Sequence, residues 1–180
     1  SRFTFVPAPA DYLLFLGRFT EGKGPLAAID IARRTGRRLL LAAAENDYYR
    51  AHVAPLVDGT QIVYVGEVDQ TRKVALLGGA SALVYPVEAA ESFGLVLAEA
   101  AACGTPVAAL RCGAVDEIVE DAITGVVFTS VDALVEGLPH VLTLDRAAIR
   151  ARAVDRFGVD RMVDEHVAIY RALAASHAGA

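Results

Sequence analysis

Short apolar runs, each bounded by glycine, proline or polar residues, recur along the chain at Tyr12 to Leu16, Arg38 to Ala43, Gln61 to Val65, Ala82 to Tyr85, Val107 to Leu110 and Gly125 to Phe128. Their length and content predict strands. The segments between them carry apolar residues at helical spacing, so strand and helix alternate, the pattern of a parallel sheet covered on both faces. In the first such segment Pro25 suits the opening helical position, Leu26, Ile29 and Ala32 fall at helical intervals, and Gly36 suits the left-handed residue that ends the helix. After Ser130 only helices are expected, at Asp132 to Leu138, Arg146 to Asp155 and Val159 to Ala174, with a frayed tail beyond. The predicted fold is α/β: a Rossmann-like three-layer α/β/α domain with a parallel sheet of about six strands and C-terminal helices. A single domain over residues 1–180 is expected, with about ten residues at each end as linker or tail.

Composition agrees with one buried core, since 54% of the 180 residues are hydrophobic and 22% charged. A formal net charge of -5 argues against nucleic acid as a partner, because phosphate neutralisation needs a basic surface. No apolar run reaches bilayer length and the amino terminus lacks the order of a signal peptide, so the chain reads as non-transmembrane and cytoplasmic. Cys103 and Cys112 show neither a CxxC pair nor zinc-type spacing, and are expected to be reduced, structural thiols.

In an open parallel sheet, ligands bind beyond the carboxyl ends of the strands, near the point where strand order reverses. The first strand exit reads GRFTEGKG, placing Arg18 and Lys23 between Gly17 and Gly24 just before a helix. Glycines allow close backbone approach, a helix start offers unpaired N–H groups, and two cations can neutralise a diphosphate. Taken alone, the two cations fit a solvated glycine-rich turn equally well. Neither the GxxxxGK[ST] nor the GxGxxG pattern is present.

The fourth strand leads into VEAAESFGLVLAEAAACGTPV. Ser92 is placed to cap a helix whose first N–H groups belong to Phe93, Gly94, Leu95 and Val96, a second anion site at the same sheet edge. Glu99 is the only charged residue between Phe93 and Cys103. A carboxylate in so apolar a helix either satisfies donors inside the core or accepts hydrogen bonds from the hydroxyls of a ligand. Glu91, in the loop before the helix, also fits an ordinary exposed acid near a helix start. Cations and N–H groups for phosphates, with carboxylates for hydroxyls, together describe a sugar nucleotide.

These segments, from DYLLFLGRFTEGKG through ESFGLVLAEAAACGTPV to RFGVDRMVDEHVAIYRAL, resemble the retaining glycosyltransferases of family 4 (glycosyl transferases group 1), which have the two-domain GT-B architecture. The Glu, seven residues, Glu motif is met by Glu91 and Glu99, beside FG and CGTPV. The resemblance implies that Arg18 and Lys23 hold the donor diphosphate and, with Glu91 on the donor sugar, form the catalytic set. It implies donor contacts from Gly17, Ser92, Phe93, and the backbone of Gly94, Leu95 and Val96, ribose hydroxyls on Glu99, and a nucleobase against Gly66, Glu67 and Val68. It implies a UDP-sugar as the expected substrate, a hexosyl group transferred with retention, no other cofactor and no required metal.

The same resemblance implies an absent N-terminal acceptor domain, so an excised C-terminal domain is expected, with peripheral membrane contact through that absent domain left open. The family's closing helix returns to that domain. Here its apolar positions are Val159, Met162, Val163, His166, Ile169, Tyr170 and Leu173, for which packing on this domain's own sheet is the ordinary expectation. Two other classes remain beside the transferase: a sugar-nucleotide epimerase of the same architecture, and a non-catalytic nucleotide-sugar sensor or subunit.

Overall fold

The structure, a computed structural model, describes residues 3–89 and 92–178, with side chains as far as 174. Six strands form where the apolar runs lie: β1 (Leu13–Leu16), β2 (Leu39–Ala42), β3 (Ile62–Gly66), β4 (Ala82–Tyr85), β5 (Val107–Leu110) and β6 (Gly125–Phe128). All pair in parallel, in the order β3-β2-β1-β4-β5-β6. Order reverses between β1 and β4, because the chain winds outward one way through β2 and β3 and then returns to start the other half beside β1.

Seven helices connect and close the sheet among the described residues: α1 (Pro25–Arg34), α2 (Gln70–Gly79), α3 (Leu95–Ala102), α4 (Val115–Ile118), α5 (Val131–Val141), α6 (Arg146–Phe157) and α7 (Val159–Ala178). Alternate strand residues serve opposite faces. Leu13 and Phe15 of β1 pack with α1 and α5, whereas Leu14 packs with α2, α3 and α4. On α1 the buried stripe is Ala28, Ile29, Ile31 and Ala32, while Leu26 is exposed. Pro25 opens this helix, and Gly36 takes the left-handed conformation just beyond it. Outside these three layers α6 lies on α3, with Ala101, Ile149 and Ala153 buried between them.

Arg146 fixes the seam between this outer layer and the start of the chain. It is buried with no carboxylate bonded to it, and its guanidinium donates to the carbonyls of Val6 (2.9 Å), Ala80 (2.9 Å) and Gly78 (2.7 Å) and to Thr105 Oγ1 (3.0 Å). Burial pushes its pKa down, reflecting the cost of holding a cation there, and the planar fork offsets that cost by satisfying four acceptors at once. Arg150 adds bonds to the carbonyls of Phe3 and Ala102.

The last helix departs from expectation. Gly158 leaves helical geometry (ψ 141°) and breaks α6 from α7, so α7 leaves the sheet instead of packing on it. Val159, Met162, Val163, Ile169, Tyr170 and Leu173 stay between 48% and 68% exposed, and the helix runs to Ala178 rather than fraying after Ala174. No helix among the described residues is long and apolar enough to cross a membrane. Both cysteines are free, and burial pushes the Cys103 thiol up to about 11, which makes it a packing residue.

Replacing Arg146 by Met keeps its volume but orphans four acceptors, three of them carbonyls. Arg146→Met is expected to lower stability by about 2 to 4 kcal/mol in denaturant unfolding, well beyond the change from Met at an exposed arginine such as Arg38.

Candidate functional site

The strand reversal leaves a cleft of about 400 Å³ between the ends of β1 and β4. Phe15, Leu16, Gly17 and Arg18 line it from β1 and its exit. Tyr85 and Val87 come from β4 and its exit, Lys23 from the loop before α1, and Ser92, Phe93, Gly94, Leu95 and Val96 from the start of α3.

The two loops that form the cleft are bonded to each other. A 3-10 turn, Glu21–Lys23, carries the Gly22 carbonyl to the β4 exit, where it accepts from the N–H groups of Glu88 (3.0 Å) and Ala89 (3.1 Å). Gly24 takes the left-handed conformation (φ 68°), and a Cβ there would stand 2.1 Å from the Pro86 carbonyl oxygen. Glycine is required at this position on both counts. Phe19 anchors the other side: it is fully buried against Phe15, Tyr49 and Tyr64, and its carbonyl accepts from the Asn46 side-chain amide at 2.8 Å. Arg18 is thereby held between a rigid strand end and a rigid aromatic anchor while its own side chain stays exposed.

Both helices that start at the cleft have left-handed glycines as N-caps, Gly24 for α1 and Gly94 (φ 78°) for α3, and no side chain caps either one. This corrects the expectation for Ser92. It is exposed at the cleft without capping α3, which begins at Leu95 because Gly94 turns the chain into the helix in a conformation that a serine cap does not adopt. An N-terminus without a side-chain acceptor keeps its first N–H groups available for an anion. Arg18 and Lys23 line the same cleft. Phe93 and Leu95 are 43% and 69% exposed beside it, apolar surface at the mouth of a polar site.

Eight of the residues anticipated from sequence therefore meet at one cleft: Gly17, Arg18, Lys23, Ser92, Phe93, Gly94, Leu95 and Val96. Others stand apart from its lining. Gly66 ends β3 in a left-handed conformation (φ 81°), separated from β1 by β2, with Glu67 exposed and Val68 half-buried after it. Glu99 does not line the cleft either. Its Oε1 accepts a hydrogen bond from Lys73 Nζ of α2 at 2.6 Å, a pairing that the sequence reading missed. Glu91 lies outside the described residues. Phe15, Leu16 and Tyr85 are lining residues that strand pattern alone marked only as strand, and Val87, in the segment after β4, lines the cleft with them.

A parallel six-stranded sheet in this order, with helices on both faces, is a Rossmann-like α/β/α domain, and its structural neighbours are GT-B glycosyltransferases. The chain belongs to the glycosyl transferases group 1 family, whose profile matches residues 3–156. It is 32% identical to D-inositol 3-phosphate glycosyltransferase 1 of Catenulispora acidiphila, over 92% of this chain and 45% of that protein. It is 29% identical to phosphatidyl-myo-inositol mannosyltransferase of Mycobacterium leprae, over 91% of this chain and 47% of that one. The chain spans about half the length of the curated relatives it matches. Among solved structures it superposes on AviGT4, a glycosyltransferase involved in avilamycin A biosynthesis, with TM-score 0.79, 32% identity and coverage of 94% of this chain and 53% of that one. The fold is also that of Anabaena Alr3699/HepE, solved in complex with UDP-glucose (TM-score 0.72, 21% identity, 92% and 49% covered).

Two glycines separate strain from loop contact. Gly24 and Gly36 have nearly the same φ, 68° and 66°, but a Cβ meets Pro86 at the first and nothing within 4 Å at the second. Gly36→Ala is expected to cost about 1 kcal/mol of stability from backbone conformation alone. Gly24→Ala is expected to cost at least about 2 kcal/mol and to detach the loop from the β4 exit, seen as loss of amide-exchange protection at Glu88 and Ala89.

Proposed function

We propose that this chain is the donor-binding domain of a retaining family 4 glycosyltransferase, and that the cleft between β1 and β4 holds the diphosphate of a UDP-hexose. One observation carries the reading: Arg18, Lys23 and the start of α3, which no side chain caps, line one cleft at the strand reversal. Each is suited to an anion, and among the described residues of the lining no other side chain is charged. Membership of a glycosyltransferase family supports it, as does the fold shared with a protein solved with UDP-glucose.

In this reading Gly17 and the backbone at Gly94, Leu95 and Val96 close on the phosphate oxygens, with Ser92 and Phe93 at their side. Arg18 and Lys23 bind the donor in the ground state, and they stabilise it more strongly as the glycosyl bond breaks and charge collects on the departing diphosphate. Glu91 serves the donor sugar. Glu99 accepts from the ribose hydroxyls, and the backbone of Gly66, Glu67 and Val68 lies against the base beyond it. The two cations perform the charge neutralisation, so transfer proceeds without a metal ion. The acceptor enters from a second domain, as in the longer relatives, and transfer takes place in the cytoplasm.

Calorimetry with UDP and inorganic phosphate, each with and without a chelator, tests the assignment. UDP is expected to bind in preference to phosphate and equally well in both conditions. Arg18→Ala and Lys23→Ala are each expected to weaken UDP binding by about 1 to 3 kcal/mol with little change in Tm, the range for charge-assisted hydrogen bonds. A sharp fall in Tm at constant affinity would identify them as structural residues and remove the diphosphate from this cleft.

A further inference from the structure

α2 and α3 lie side by side on one face of the sheet, and both start at the edge that carries the cleft. Lys73 and Glu99 each stand about one turn inside their helix, at matching depth below that edge. Their side chains meet at 2.6 Å and are only 22% and 20% exposed. The residue one turn before Glu99 on the same side of α3 is Val96, which lines the cleft. The ion pair therefore lies one turn below the cleft lining, between α2 and α3.

The bonding of the carboxylate is one-sided. Lys73 occupies Oε1, and no described residue donates to Oε2. For a pair so largely withdrawn from water the cost of desolvation offsets much of the attraction, and α2 is already tied to the other elements of this face by Val74 and Leu77 in the core and by Thr105 Oγ1, which donates to the Leu77 carbonyl at 2.5 Å. What the pair does achieve is orientation. A glutamate on a helix surface has three rotatable bonds, and a ligand that uses it must otherwise order them on binding.

From this geometry we infer that Lys73 is a positioning residue for nucleoside recognition: its ammonium fixes Oε1 of Glu99 so that Oε2 is presented to the vicinal hydroxyls of a ribose. The inference rests on the proposed sugar-nucleotide reading and adds to it the residue that pre-organises the ribose contact. Lys73 touches no ligand in this scheme and acts only through Glu99. Arginine at this place can hold the same oxygen, whereas methionine keeps the length and loses the bond.

The test is calorimetry on the 180-residue chain with UDP and with 2',3'-dideoxyuridine diphosphate. Lys73→Met is expected to weaken UDP about fivefold and to leave the dideoxy ligand unchanged, because only the first ligand uses the fixed carboxylate. In a Glu99→Gln background the same substitution is expected to change nothing further, and Lys73→Arg is expected to restore most of the UDP affinity. Equal losses for both ligands, no loss for either, or a loss that persists with Glu99→Gln would overturn the inference and make the pair a helix-to-helix tie. If Lys73→Met lowers Tm, the ribose dependence of Lys73→Arg decides by the same comparison. Wild-type binding with no preference for UDP over inorganic phosphate would defeat the sugar-nucleotide reading itself. A wild type that prefers UDP to phosphate but binds the dideoxy ligand equally well would leave the diphosphate site standing and remove only Glu99 and Lys73 from recognition.

Discussion

The site depends on one backbone contact across the strand reversal. The Gly22 carbonyl accepts two N–H groups from the β4 exit, and Gly24 sits so close to Pro86 that no side chain fits between them. Without this junction the loops after β1 and β4 would be independent, and a glycine-rich loop bearing Arg18 and Lys23 would sample many positions at an entropic cost to any ligand. With it, two strand exits and two helix starts form one unit. The aromatic group around Phe19 secures the same loop from below, so an exposed arginine is mounted on a backbone that cannot move far.

Most of the fold was legible in the sequence because its signals are local. Each strand is a short apolar run, fully buried in β2, β4 and β5 and half-buried along the edge strands β3 and β6, and the observed limits fall within a residue or so of the pattern. The glycine-rich exit and its two cations were also visible, since spacing along one loop largely fixes what the loop presents. Three features were not legible. Ser92 looked like a helix cap because serine usually is one, but a left-handed Gly94 two residues later took that place. The partner of Glu99 lies 26 residues earlier on a neighbouring helix, and periodicity gives the buried face of α2 without saying which side chain of α3 it meets. Arg146, in a stretch that reads as the polar start of a surface helix, became the most extensively bonded buried side chain because the N-terminal segment folds over it.

The outer layer shows a similar contrast between pattern and context. The apolar positions of α7 are spaced as a core-facing stripe should be, yet Gly158 redirects the helix so that the stripe stays open. Amphipathic spacing shows that a helix has a face to cover and leaves unsaid what covers it. The same holds for Phe93 and Leu95 at the mouth of the cleft, which a surface rule alone would have placed inside.

The bonding of Arg146 also sets how this seam responds to its surroundings. Ion pairs such as Arg37 with Asp11 or Arg34 with Asp132 lie on the surface and weaken as salt rises. The acceptors around Arg146 are three carbonyls and a hydroxyl, none of which titrates in the acid range, and the contact is shielded from mobile ions by its burial. The attachment of the N-terminal segment through Arg146 is thus indifferent to ionic strength over ranges in which the surface ion pairs of the same domain weaken.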